Sequence, residues 1–173
     1  DWGNRFVCNA GTLMIHPVLP DWYLARNPYL PVGGVMEYPF GGSRKKVFPI
    51  HTPEPWRVVR RNQWSRWVDT NNDMRAGRFP DEELAPSGYV TAAAGVTIYR
   101  GSAYPEKYRG AAFTGETAQN VVVAMGLSPK GVGFSAERLT GEKEFIASTD
   151  NWFRPVNFEN GPDGCLYLVD MYR

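Results

Sequence analysis

Four short β-rich runs follow one another between Gly95 and Leu139: GVTIYR at 95–100, GAAFTG at 110–115, NVVVAMGL at 120–127 and GFSAERL at 133–139. Each is bounded by Gly, Pro, Ser or a charged turn, the residues that punctuate strands. Strands this short and this close pair with their sequence neighbours through tight turns, so the segment predicts one antiparallel four-stranded meander. The pattern then restarts. The runs at 153–158 (FRPVNF) and 165–170 (CLYLVD) flank the turn Gly161-Pro162-Asp163-Gly164, and the spacing from Val96 to Phe153 is 57 residues.

The same pattern also stands at the N-terminus. Placing Gly3 on Gly164 aligns Phe6 with Tyr167, Val7 with Leu168, Cys8 with Val169 and Asn9 with Asp170, an offset of 161 residues. Recurring meanders of this length are the sequence form of β-propeller blades. A content of 14% aromatics with Gly 18 and Pro 14 suits strands, turns and large packed rings better than long helices. No heptad and no helix longer than about three turns is expected. The predicted class is all-β: one partial propeller domain over 1–173, with 1–26 ending one blade, 88–140 forming the next and 141–173 starting another. Between them, 27–87 reads as a long irregular excursion holding eight of the fourteen prolines, with strand character only at 47–50 and 56–60.

Several function classes fall away. A net charge of +1 provides no global field toward nucleic acid or an anionic surface. Cys8 and Cys165 form no CxxC, CxxCH or zinc-spaced cluster. No apolar run approaches the ~18 residues of a membrane span. No signal peptide is visible, and a start at Asp1 inside a strand-and-turn pattern suggests an internal fragment. Without GxGxxG, Walker or GxSxG sequences, nicotinamide, nucleotide-hydrolysis and serine-hydrolase chemistry have no support.

The individual candidates each carry a plainer alternative. His16 has the chemistry of a general base, but Ile15 and Pro17 offer it no partner carboxylate. His51 sits between Ile50 and Thr52 in the excursion. The run Asp69-Thr70-Asn71-Asn72-Asp73 places oxygens as a calcium loop begins, yet Met74 and Pro80 stand where an EF-hand needs Gly and Glu, so an exposed turn is the expectation. From Arg44 to Arg78, nine Lys/Arg against three Asp/Glu interleave with Trp56, Trp64 and Trp67. Such a surface suits polyanions or sugars, but Arg stems lying on Trp faces against a neighbouring blade is the preferred reading, and no nucleic-acid partner is expected. Asn9 and Asp170 are expected to cap strand-end turns.

The stretch STDNWFRPVNFENGPDGCLYLVDMYR at 148–173 resembles the propeller domain of planctomycete-type membrane-bound dehydrogenase-like, or heme-binding CxxCH, proteins. DWGNRFVCN, YLARNPYLP at 23–31, EPWRVVRR at 54–61 and GVTIYRGSAYPEKYRGAAFTGE at 95–116 add to it. That family is similar to soluble quinoprotein glucose and sorbosone dehydrogenases, six-bladed propellers that bind pyrroloquinoline quinone and calcium. The resemblance implies oxidation of a sugar or alcohol by hydride transfer to the quinone. It further implies electrons passed to a c-type cytochrome domain of the parent, heme c in a part missing from this chain, and a periplasmic or secreted location. Tyr99-Arg100-Gly101 resembles a blade head where a cation follows Tyr, which implies that Arg100 helps to anchor the quinone. Phe153-Arg154 resembles the aromatic-Arg pair that holds the quinone carboxylates, with Asn151 and Trp152 beside it. A planar guanidinium fork suits such a carboxylate. Thr12-Leu13 and Val123 stand where relatives carry an Asn-His pair and a His. The resemblance assigns no catalytic residue and completes no metal-ligand set in this chain, and it implies that the fragment alone is inactive. The alternative is a non-catalytic propeller module that binds a glycan or a partner protein.

Overall fold

The computed structural model describes residues 3–30, 32–42, 45–71 and 87–172, and their strands form three antiparallel sheets. The first has the order β1 (Val7–Asn9), β2 (Thr12–Leu19), β3 (Val35–Glu37). The second is the predicted meander of β4 (Ala93–Ile98), β5 (Ala112–Glu116), β6 (Val121–Lys130) and β7 (Gly133–Arg138), and β8 (Ile146–Ala147) pairs with the start of β6. The third is the hairpin of β9 (Pro155–Asn160) and β10 (Leu166–Asp170). The all-β reading holds, and the recurrent pattern at 3–9 and 164–170 falls on β1 and β10. Asn9 and Asp170 take their expected capping roles, accepting from the Gly11 and Tyr172 N–H groups at 3.1 and 3.0 Å.

The middle sheet explains why NVVVAMGL shows no alternation. Val121, Val123 and Met125 face a core with Leu13, Met14, Val47, Val90 and Ile98, on the side of the first sheet. Val122 and Ala124 face a second core with Tyr99, Phe113 and Phe158, ringed by Tyr104, Tyr108 and Phe145. A strand covered on both faces is apolar at every position. The third sheet lies so close that a Cβ on Gly115 would overlap the Pro155 carbonyl oxygen, and one on Gly95 would lie 2.7 Å from Asn157 Cα.

The excursion departs from its prediction. Residues 56–60 belong to a helix, with α1 (Asp21–Leu24) preceding it and α2 itself running Pro55–Asn71. Its 17 residues make nearly five turns, more than the three-turn limit expected. Pro55 sits at the first helical position, where its fixed φ and missing N–H cost nothing. Trp56, Val58 and Val59 are all exposed, so no apolar stripe betrays the helical period. The segment also gives β3 to the first sheet, while 47–50 carries no strand and only Lys46 bridges to Tyr89. The run from Asp69 to Asp73 lies outside the described side chains.

Candidate functional site

Arg154 precedes β9, after a turn in which the Trp152 N–H donates to Asp150 Oδ1 at 2.8 Å. Its own N–H donates to Asp170 Oδ1 at 2.7 Å, which ties it to the end of β10. The guanidinium reaches across the end of the second sheet. Nη1 donates to the Thr117 carbonyl at 2.9 Å, in the β5–β6 turn, and Nη2 donates to Glu54 Oε1 at 3.1 Å, just before α2. Glu54 Oε2 lies 3.5 Å from Arg57 Nε, so one carboxylate from the excursion stands between two guanidiniums.

Around this pair the polar groups are deeply buried. Glu116, fully enclosed at the end of β5, accepts from the N–H groups of Thr91, Ala92 and Gln119 at 2.8, 2.5 and 2.5 Å. Burial pushes its carboxyl up from the ordinary value, against those hydrogen bonds and the Arg57 charge. Asn120, in the left-handed region at φ 58°, donates to the Asn151 and Phe153 carbonyls at 3.3 and 2.5 Å. Asn151 Nδ2 donates to the Thr52 carbonyl at 3.4 Å. His51 is buried with neither ring nitrogen hydrogen-bonded, and its pKa falls below the ordinary value, first through burial and then through the Arg57 charge. Arg57 Nε, Asn120 Oδ1 and Asn151 Oδ1 are also buried without hydrogen-bond partners.

Of the residues singled out in sequence, Arg154 and Asn151 therefore meet in one cluster, joined by His51. Arg100 does not join them. Its N–H donates to Asn160 Oδ1 at 2.9 Å, at the far end of β9. That six-residue strand separates the two arginines by roughly 20 Å. Trp152 is exposed and meets the Tyr172 ring edge-on at 5.8 Å. Leu13 and Val123 fill the core between the first two sheets. Sequence reasoning missed Glu54, Arg57, Glu116 and Gln119, because nothing local signals a contact between Glu54 and Arg154, 100 residues apart.

The donor set does not fit a two-arginine clamp on a quinone tricarboxylate. The Arg154 fork is already engaged by Glu54 and Thr117, and Arg100 lies a strand length away. Among the described residues, no group of three or more His, Cys, Asp or Glu side chains comes together to hold a metal ion, and no helix is long and apolar enough to cross a membrane. What the cluster does chemically is fasten the 51–57 segment over the turn end of two sheets.

A family described as a domain of unknown function (DUF7133) matches residues 1–173. No curated protein and no solved structure matches the chain.

Proposed function

We propose that the chain, which belongs to the DUF7133 family over its whole length, is a non-catalytic segment of a six-bladed β-propeller that binds the adjoining blades of a dehydrogenase-like parent. Three sheets in succession support the propeller: strands β1 to β3, the complete meander β4 to β7, and β9 with β10. If β4 and β9 are innermost strands, then β1 and β10 hold the second place in their blades, in keeping with their shared sequence pattern. Among the described residues the outer edges of β1 and β10 are unpaired, and there the remaining strands of their own two blades add, while the adjoining blades pack against the sheet faces. Side chains such as Tyr167 and Val169, more than half exposed on β10, are then covered by the next blade.

The observation that carries the non-catalytic reading is the engagement of Arg154 by Glu54 and Thr117. Hydride transfer from a sugar or alcohol to pyrroloquinoline quinone, the calcium site and the transfer of electrons to heme c belong, on this reading, to other parts of a periplasmic or secreted parent. The second reading, an enzyme segment in which Arg154 holds a quinone carboxylate, rests on the Phe153-Arg154 motif. Titration of pyrroloquinoline quinone with calcium into the intact parent and its Arg154→Gln variant, followed by quinone absorbance, separates the two. The proposal expects any affinity to change less than about twofold while the melting temperature falls. Weakening by tenfold or more, about 1.4 kcal/mol, would overturn it.

A further inference from the structure

A cavity of about 170 Å³ opens where the segment before β1, the second half of β2 and α1 meet, far in sequence from Arg154 and independent of the reading given for it. Asn4, Arg5, His16, Trp22, Tyr23 and Val132 are among its walls. Among the described residues, no carboxylate lines it. Asp21, the nearest acid in sequence, accepts the Gly34 N–H instead. His16 is 2% exposed, stacked on Phe6 and edge-on to Phe134, each at 5.1 Å between ring centres. Its Nδ1 is buried without a hydrogen bond, 3.8 Å from Glu37 Oε2 on the paired strand β3.

The opposite wall is aromatic and cationic. Trp22 and Tyr23 stack with ring centres 3.7 Å apart, and each is nearly half exposed. The Arg5 guanidinium lies over Trp22 at 5.8 Å, and that of Arg26 over Trp22 and Tyr23 at 5.8 and 5.2 Å. Arg5 makes no hydrogen bond or ion pair with the described residues, so its planar fork is open to a ligand. The Arg5 and Arg26 guanidiniums, held against these rings, bring positive charge to this wall, with the Glu37 carboxylate on the other side, behind His16. The cavity has room for one small ring, and its lining is mainly polar.

We propose that this cavity binds a small carboxylate borne on a six-membered ring. Arg5 pairs with the carboxylate, His16 bonds a polar group of the ligand, and the Trp22–Tyr23 pair lies along the ring. Benzoate and glucuronate represent the aromatic and saccharide sources of that chemistry, and glucose is the neutral control.

The chain has only two histidines, so imidazole NMR reads the site directly, with His51 as the internal reference. Titration with benzoate or glucuronate is expected to shift the His16 resonances to saturation and leave those of His51 unmoved. Arg5→Gln and Trp22→Ala, both at exposed side chains, should weaken binding at least tenfold without lowering the melting temperature. A response to only one of the two carboxylates supports the proposal and identifies the source. Equal binding of glucose, no saturable shift with either carboxylate, or unchanged affinity in Arg5→Gln at wild-type stability would overturn it.

Discussion

Tyr99→Phe tests the stacking of the second sheet on the third, on which the propeller reading depends. The Tyr99 ring is fully buried, and its hydroxyl donates to the Gly164 carbonyl at 2.5 Å while accepting from the Ala103 and Tyr104 N–H groups at 2.9 and 3.2 Å. Phenylalanine keeps the ring contacts with Tyr104 and Phe113 at 5.0 and 6.0 Å. The change therefore isolates the oxygen. Ala103 retains a second acceptor in the Gly164 carbonyl at 3.1 Å, so the Tyr104 N–H loses most. Removing the donated bond costs about 1 kcal/mol, and leaving the half-buried Tyr104 N–H without this acceptor adds about 1 kcal/mol, the low end for a buried group, for a total of about 2 kcal/mol. For a chain of 173 residues that lowers the melting temperature by about 4–8 °C. Urea unfolding, with the midpoint read at constant slope, measures the loss. A change below about 0.5 kcal/mol would refute the claim that this hydroxyl joins the two sheets.

Gly115→Ala should cost about 2–4 kcal/mol by driving the Pro155 backbone away from β5, whereas Gly33→Ala, with open space around it, should stay within about 0.5 kcal/mol; thermal melts of the two variants check the contrast. The depressed pKa of His51 means that the folded chain binds fewer protons than the unfolded one between that value and the ordinary 6.5. Its stabilising contribution is then present above pH 6.5 and lost as pH falls through the folded value. The stability difference between about pH 7.5 and 5.5 should shrink in His51→Gln, and an unchanged difference in urea midpoints would contradict the placement of His51.

The sheets were legible where burial is simplest. NVVVAMGL announces a strand covered on both faces, and the Gly-bounded runs flanking it locate β4, β5 and β7. β2 escaped because Pro17 interrupts TLMIHPVL, yet the strand continues through it to pair Leu19 with Val35. α2 escaped because Trp56, Val58 and Val59 face solvent and imitate a short strand. In the candidate site, the Phe153-Arg154 motif drew attention to an arginine that does grip a carboxylate, but one supplied by this chain's own Glu54. Only three-dimensional closure identifies such a partner, because the loop between them is long and its local sequence is silent. The cavity beside His16 was hidden for the same reason: its aromatic wall lies on α1 and its arginine before β1.

The central claim is that Arg154 is occupied in holding the 51–57 segment to the sheets. A double-mutant cycle of Glu54→Gln and Arg154→Gln, read by urea unfolding, tests it most directly. With both side chains mostly buried, at 22% and 16% exposure, the account predicts a coupling of about 1–2 kcal/mol, between the worth of exposed pairs and the cost of breaking fully buried ones. A coupling below about 0.3 kcal/mol would contradict the account and leave the guanidinium available to an external carboxylate.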